Sequence, residues 1–218
     1  MLGVYVTVPV ACFRKGMARE FLETEPIPPP ATCYGFLLSL VGETNRYRHV
    51  GCRVTAARIG QPEVSVVLRT VWRVKKLPLG SPGNTRPDYQ QLLTVVSLVV
   101  WVDSKDEATT GGHTLESRVR EALENPSSVR RFGGLSFGES THLVNEVSLL
   151  NRSEGISFGD SQVETFLQDK HGHITLPVWV DHVGSSGTRY ATGNLEPTEG
   201  LQVPDLARVP QISPDSLP

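Results

Sequence analysis

The longest apolar run in the sequence, Leu92–Val102 (LLTVVSLVVWV), constrains the fold most. It is about half of the roughly 20 residues that a membrane-spanning helix needs. Thr94 and Ser97 interrupt it, so it is predicted to be a buried strand and not a membrane span. A chain of 218 residues suffices for one domain, or one domain with an appendage, whose core stands without disulfides. Cys12, Cys33 and Cys52 are odd in number, far apart and without a C-x-x-C spacing. Neither a disulfide framework nor a four-thiolate zinc site can be built from them, and they are expected to be ordinary buried or half-buried thiols. His171 and His173 would share one face of a strand, but no third ligand stands in register with them. No metal and no cofactor are expected. With no basic leader, apolar run and small-residue cleavage site at the N-terminus, a cytoplasmic location is the expectation.

Leu2–Val10 (LGVYVTVPV) alternates and is β-branched enough to be a first strand. After a less regular segment, the stiff run PIPPP (Pro26–Pro30) leads into a short buried helix carrying Tyr34, Phe36, Leu37, Leu38, Leu40 and Val41, which should end near Gly42. Cys52–Ile59 and Val64–Val74 are read as paired strands separated by the turn signal Gly60-Gln61-Pro62. Lys75–Gln91 carries three prolines and two glycines and is read as a long exposed loop or protruding hairpin. The strand Leu92–Val102 follows. Then comes a helix capped by Thr114, with Leu115, Val119, Ala122 and Leu123 on one face and a stop at Asn125-Pro126. A glycine-rich segment, Arg130–Ser140 (RRFGGLSFGES), leads into a strand at Leu143–Leu150. This order predicts an α+β sandwich of ferredoxin-like (RRM-like) type, with helices on one sheet face and the other face open. A β extension over 151–183 should include a strand at Ile174–Val183. The Ser-, Gly- and Pro-rich stretch 184–218 is expected to be an extended or disordered tail.

The formal net charge of −2 hides a division. Between Arg46 and Arg86 stand Arg46, Arg48, Arg53, Arg58, Arg69, Arg73, Lys75, Lys76 and Arg86 against Glu63 alone. The rest of the chain holds 12 basic and 22 acidic residues. A concentrated basic stretch is the footprint of a phosphate-backbone site, and Tyr47, Trp72 and Tyr89 interleave with it as candidates to stack bases. Solvated arginines on strand faces and a core Trp72 would be the plainer account. The glycine-rich segment adds Arg130, Arg131, Gly133, Gly134 and Gly138, a combination of exposed amides and fixed cations suited to a phosphate chain; a tight helix-to-strand connection is the alternative.

Gly134–Gly138 also matches the G-x-S-x-G elbow of serine hydrolases, with Asp181 and His182 downstream. The context is wrong, because a helix precedes and a strand follows where an elbow needs the reverse. The pattern also recurs at Gly155–Gly159, as local composition would. Hydrolase chemistry is therefore a remote alternative.

Three segments together resemble the CRISPR-associated RAMP superfamily, and more narrowly the small Cascade subunit that caps the 5′ handle of crRNA in type I systems. They are the first strand followed by PIPPPATCYGFLLSLVG (Pro26–Gly42), the Arg-rich strands with their projecting loop, and RRFGGLSFGESTHLVNEV (Arg130–Val147). The resemblance covers about residues 1–150, which it implies are a palm domain with residues 75–91 as its thumb. It implies a non-catalytic RNA-binding subunit, with crRNA, the backbone and large subunits of Cascade and, through the assembled complex, target DNA as partners. Handle phosphates would meet Arg130, Arg131, Gly133, Gly134 and Gly138. One branch of the family cleaves precursor crRNA without metal through a tyrosine, a lysine and a histidine. Tyr47, His49 and Lys75 or Lys76 supply these types, so an endoribonuclease is the alternative function, but no matching Lys-His doublet is present.

Overall fold

The computed structural model describes residues 1–16, 18, 21–72, 78, 80–108, 112–150, 162–198 and 201–214. Their centre is the strand predicted from the apolar run, longer than expected: β5 spans Thr85–Asp103. Its C-terminal half is flanked by β1 (Leu2–Ala11), antiparallel with Leu2 opposite Val102 and Ala11 opposite Leu93, and by β3 (Arg53–Ile59), antiparallel with Arg53 opposite Asp103. Because both neighbours are paired, alternate residues of β5 enter two different apolar layers. Val96, Leu98, Val100 and Val102 face the main core, while Val99 and Trp101 join Tyr5, Ala57 and Val163 on the opposite face. That face, expected to be open, is therefore partly covered.

β3 and β4 (Glu63–Trp72) do not pair with each other, contrary to the sequence expectation. Both pair with β5, one after the other along the same edge, and the register shifts by one residue between Arg58 opposite Leu98 and Glu63 opposite Thr94. Gly60-Gln61-Pro62 therefore bends an extended chain where a reversal was expected. The extra residue is taken up with Gly60 at φ +70° and Val95 at φ 55° on the facing strand. Beyond this bend β4 and the first half of β5 form a ten-pair ladder. A short parallel strand, β2 (Phe21–Leu22), lies on the other edge of β5 there.

Helix α1 (Pro30–Leu40) starts on the last proline of the PIPPP run, where a missing N–H costs nothing. Seven of its side chains are buried, because it packs against β3, α2 (Leu115–Glu124) and β8 (Ile174–Trp179) at once. Thr114 caps α2 as expected, its hydroxyl accepting from the Ser117 N–H. β6 (Glu146–Leu149) completes one edge beside β1. The other edge continues from β3 through β7 (Val163–Gln168) and β9 (Arg189–Thr198) to β8, in the order β6-β1-β5-β3-β7-β9-β8. The architecture is thus mixed α/β, mostly one antiparallel sheet with two helices among the described residues.

The C-terminal part is more ordered than a tail. β9 lies within 184–218 and pairs on both sides. Farther on, the N–H groups of Gly51 and Val54 donate to the carbonyls of Ile212 and Pro210. Phe166, Leu176, Trp179, Ala191 and Ile212 share one apolar cluster with Val4 and Leu98, so the extension and the first 150 residues bury a common core. The strand expected at Ile174–Val183 stops at Trp179, and His171 and His173 precede it, so they do not share its face. No described helix is long and apolar enough to cross a membrane.

Candidate nucleic-acid interface

The glycine-rich segment is a loop whose side chains divide sharply. Leu135 and Phe137 point into the core. Phe137 stacks on Phe36 of α1 at 4.6 Å and meets Phe13 edge-on at 5.6 Å. The loop closes on itself, with the Phe137 N–H donating to the His142 carbonyl and the Val144 N–H to that of Leu135. Gly138 adopts φ +101°, and a Cβ there would stand 2.7 Å from the Cys12 carbonyl oxygen. A Cβ at Gly133, which adopts φ +77°, would meet nothing within 4 Å, and one at Gly134 would meet only the Leu143 side chain, at 3.5 Å. Thus Gly138 is required for close approach to β1, Gly133 for its backbone conformation, and Gly134 by nothing steric. Arg130, Arg131, Gly133 and Gly134 are exposed.

His142, which the sequence gave no reason to single out, fastens the end of this loop. Its Nδ1 accepts from the Cys12 N–H at 3.2 Å and the Glu139 N–H at 3.3 Å, so that nitrogen carries no proton. Burial pushes the imidazole pKa below its usual 6.5; Glu139 opposes this and Arg69 adds to it. A histidine held below its unfolded value contributes stability in full above pH 6.5 and loses it as the pH falls. The stability difference between the protein and His142→Ala, measured by urea unfolding, is therefore expected to be greatest above that pH and to shrink on acidification.

The other predicted cations and aromatics do not gather in one place. Arg69 and Arg86 lie on one face of the β4–β5 ladder, where Arg69 sits 3.4 Å from Glu139 of the loop and Arg86 2.7 Å from Asp88. Trp72 and Tyr89, 60% and 52% exposed, lie on the opposite face with Val64, Val66 and Leu68. The ladder's aromatics and cations thus do not form one mixed surface. Arg48 and Arg53 are ion-paired away from both groups, with Glu43 and Asp106, and Arg53 also donates to the Val209 carbonyl. Both are thus engaged within the protein. Arg73, Lys75 and Lys76 lie outside the described residues, as does the second G-x-S-x-G copy.

Arg46 lines a cleft of about 380 Å³ between α1, the glycine-rich loop and the end of β8. The Arg46 guanidinium lies 3.8 Å from the centre of the Trp179 indole, and its Nη2 donates to the Val180 carbonyl at 2.7 Å. Tyr47 packs against the same indole at 5.1 Å. Ser136, Gly138 and His182 also line the cleft. A hydrolase triad does not form there: Asp181 accepts from the N–H groups of Val183, Gly184 and Gly187, and no hydrogen bond joins Ser136 to His182 among the described residues.

His49, the candidate ribonuclease histidine, is 1% exposed and engaged at both ring nitrogens, at 2.6 Å from Glu107 and 2.8 Å from Arg118.

No family model matches the chain. The CRISPR-associated protein Cas5 of Myxococcus xanthus (strain DK1622) is 52% identical to it over 214 residues, 97% of each chain. The chain belongs to the Cas5 family. Two solved structures share the fold. One is a chain of a CRISPR RNA-guided surveillance complex, with TM-score 0.58 and 14% identity over 90% of each chain. The other, a Cas protein, has TM-score 0.50 and 15% identity over 98% of this chain and 99% of that one. At 90% and 98% of the chain, both likenesses extend beyond residue 150, where the sequence resemblance carried little.

Proposed function

We propose that the chain is a non-catalytic subunit of a type I CRISPR effector complex, Cascade, that holds the 5′ handle of the guide RNA. In that assembly it meets the backbone and large subunits and contributes to RNA-guided binding of target DNA. The observation that carries the reading is the division within the glycine-rich loop. Its buried side chains fix the backbone, while Arg130, Arg131 and the three glycines Gly133, Gly134 and Gly138 remain exposed, with no partner for either guanidinium among the described residues. A preordered loop with free cations and accessible amides suits a phosphate chain. The order β6-β1-β5-β3, with α1 between β1 and β3 and α2 between β5 and β6, supports reading the core as a ferredoxin-like palm. The projecting ladder of β4 and β5 takes the part of the thumb.

Co-purification with the operon partners should yield RNA of uniform 5′ sequence; recovery of protein without RNA overturns the reading. With that RNA in hand, Arg130→Ala/Arg131→Ala should weaken binding and reduce the slope of log K against log salt by about 1.4, two single-strand phosphate contacts' worth. An unchanged slope would remove these arginines from the interface.

A further inference from the structure

We infer that the open edge of β4 pairs with the same edge of a second copy of this chain, antiparallel about a two-fold axis through Val66, so that the isolated protein equilibrates with a dimer. The inference goes beyond the RNA-binding reading and does not rest on it. Three observations converge on it.

The first is the edge itself. Among the described residues β4 pairs with β5 alone, and every residue of it but Val71 is exposed. Lysine, proline or extreme shortness usually protects such an edge from a further strand. The β4 sequence, EVSVVLRTVW, runs from Glu63 to Trp72 with neither lysine nor proline. Its open edge begins at Glu63, since the Gly60 N–H before the bend already donates to the Gln162 carbonyl.

The second is register. Outward-pointing N–H and C=O groups fall on alternate residues, so two such edges pair only with residues of like parity opposite each other. With Val66 opposite its own counterpart, Val64 meets Leu68 of the second copy, Ser65 meets Val67 and Glu63 meets Arg69. Among the described residues the Glu63 carboxylate has no partner, and Arg69 has only a 3.4 Å contact with the part-exposed Glu139. This register joins the two opposite charges twice, once on each side of the axis. A shift of two residues one way sets Glu63 against Val71, and the other way against Val67; both lose the ion pairs. Charge therefore selects one register from the alternatives.

The third is the match of faces. Val64, Val66 and Leu68 share the ladder's apolar face with Trp72 and Tyr89, and Phe21 of β2 stands opposite Tyr89 on that face. Glu63 and Arg69 share the other face. The pairing thus continues apolar face into apolar face, and Val64, Val66 and Leu68 cover one another across the axis. A projecting two-stranded ribbon is marginal alone, whereas four strands with a common apolar face are not. The contact is self-complementary and uses up the β4 edge of both copies, so association closes at two. Its small area predicts a weak dimer, with Kd about 10–100 µM.

The test is sedimentation velocity of the isolated full chain at about 2–200 µM, a range that brackets this Kd. The wild type should pass from monomer to dimer, and deuterium exchange of the β4 backbone amides should slow over the same range. Glu63→Arg sets arginine against Arg69 twice, and Arg69→Glu sets glutamate against Glu63 twice, so each alone should dimerise about tenfold more weakly. An equimolar mixture of the two should recover wild-type association, since both contacts then join opposite charges. Recovery on mixing cannot come from a variant that misfolds. A wild type that stays monomeric throughout overturns the inference. Single variants that dimerise as the wild type does, or a mixture that associates no better than the variants apart, overturn it as well. Protection of the β4 amides that appears only with the operon partners assigns the edge to another subunit and has the same result.

Discussion

Phe137→Ala should lower the unfolding free energy by about 3–5 kcal/mol, the usual cost of deleting a buried phenyl ring, and should cut guide-RNA binding as well. Phe137 is fully buried, stacked on Phe36 and in edge contact with Phe13. It is also the residue through which the glycine-rich loop is tied to the helix and to the end of β1. The cavity left by alanine would remove the ring contacts on both sides, and the loop's remaining ties are Leu135, the hydrogen bonds of His142 and the backbone pairing of Phe137 and Val144. Urea unfolding measures the first effect. Binding measured well below the melting transition measures the second, and Phe137→Leu, which refills most of the cavity, should recover part of both. If Phe137→Ala binds RNA as the wild type does, the ordering of the loop is irrelevant to its function.

The same residue shows what could be read from the sequence. Gly133, Gly134 and Gly138 stood out because glycine spacing and flanking arginines carry a physical meaning without knowledge of the fold. Phe137, in the middle of them, did not, since its meaning comes from Phe36 and Phe13, distant in sequence. The strand at Leu92–Val102 and the helix capped by Thr114 were legible because apolar periodicity and capping are local. The first half of β5 was not: Arg86, Pro87, Asp88 and Gln90 look like a loop, and only the facing ladder from β4 makes them a strand. β7 and β9 are similarly mixed in composition and hold together through pairing with each other and with β3 and β8.

Charge was legible as a surplus but not as a surface. Arg53 and Arg58 belong to the basic stretch, yet both are used internally, Arg58 against Glu164 and Arg53 against Asp106. Acidic residues outside the stretch return through the fold to neutralise particular members of it. Arg46, Arg130 and Arg131 have no such partner among the described residues. Trp179 had no motif to mark it, and its importance appears only when β8 is brought beside the Arg46 segment.

Glu107→Ala should cost about 2–6 kcal/mol, about 1–3 for each of the two buried donors, His49 Nδ1–H and the Leu115 N–H, left without an acceptor. Arg118 can only donate, so the His49 nitrogen facing it must accept, and the proton of His49 sits on Nδ1, directed at Glu107. Glu107 also accepts from the Leu115 N–H at 2.9 Å, at the start of α2 where negative charge is favoured. Burial alone would raise its pKa, but the hydrogen bonds from His49, Ser104 and Leu115 outweigh it and hold the carboxyl below the usual 4.5. Glu43, with Arg118 and Arg48 on the far side of the network, is likewise held at about 2 despite its own desolvation, by the Asn45 N–H and Arg118. Both carboxylates therefore stabilise the fold above pH 4.5 and cease to do so as the pH falls below it. Glu107→Gln keeps one acceptor for two donors, so it should cost less, about 1–3 kcal/mol for the group left unsatisfied. The network lies beneath the turn that carries Arg46 and Tyr47, and His49 is the point of attachment. Glu107→Ala should therefore also loosen the turn that carries Arg46 and Tyr47, while leaving the separately anchored Arg130 and Arg131 able to hold RNA. Unfolding measured across pH, together with RNA retention by the folded variant, separates these effects; full retention of stability in Glu107→Ala would show that the network is dispensable.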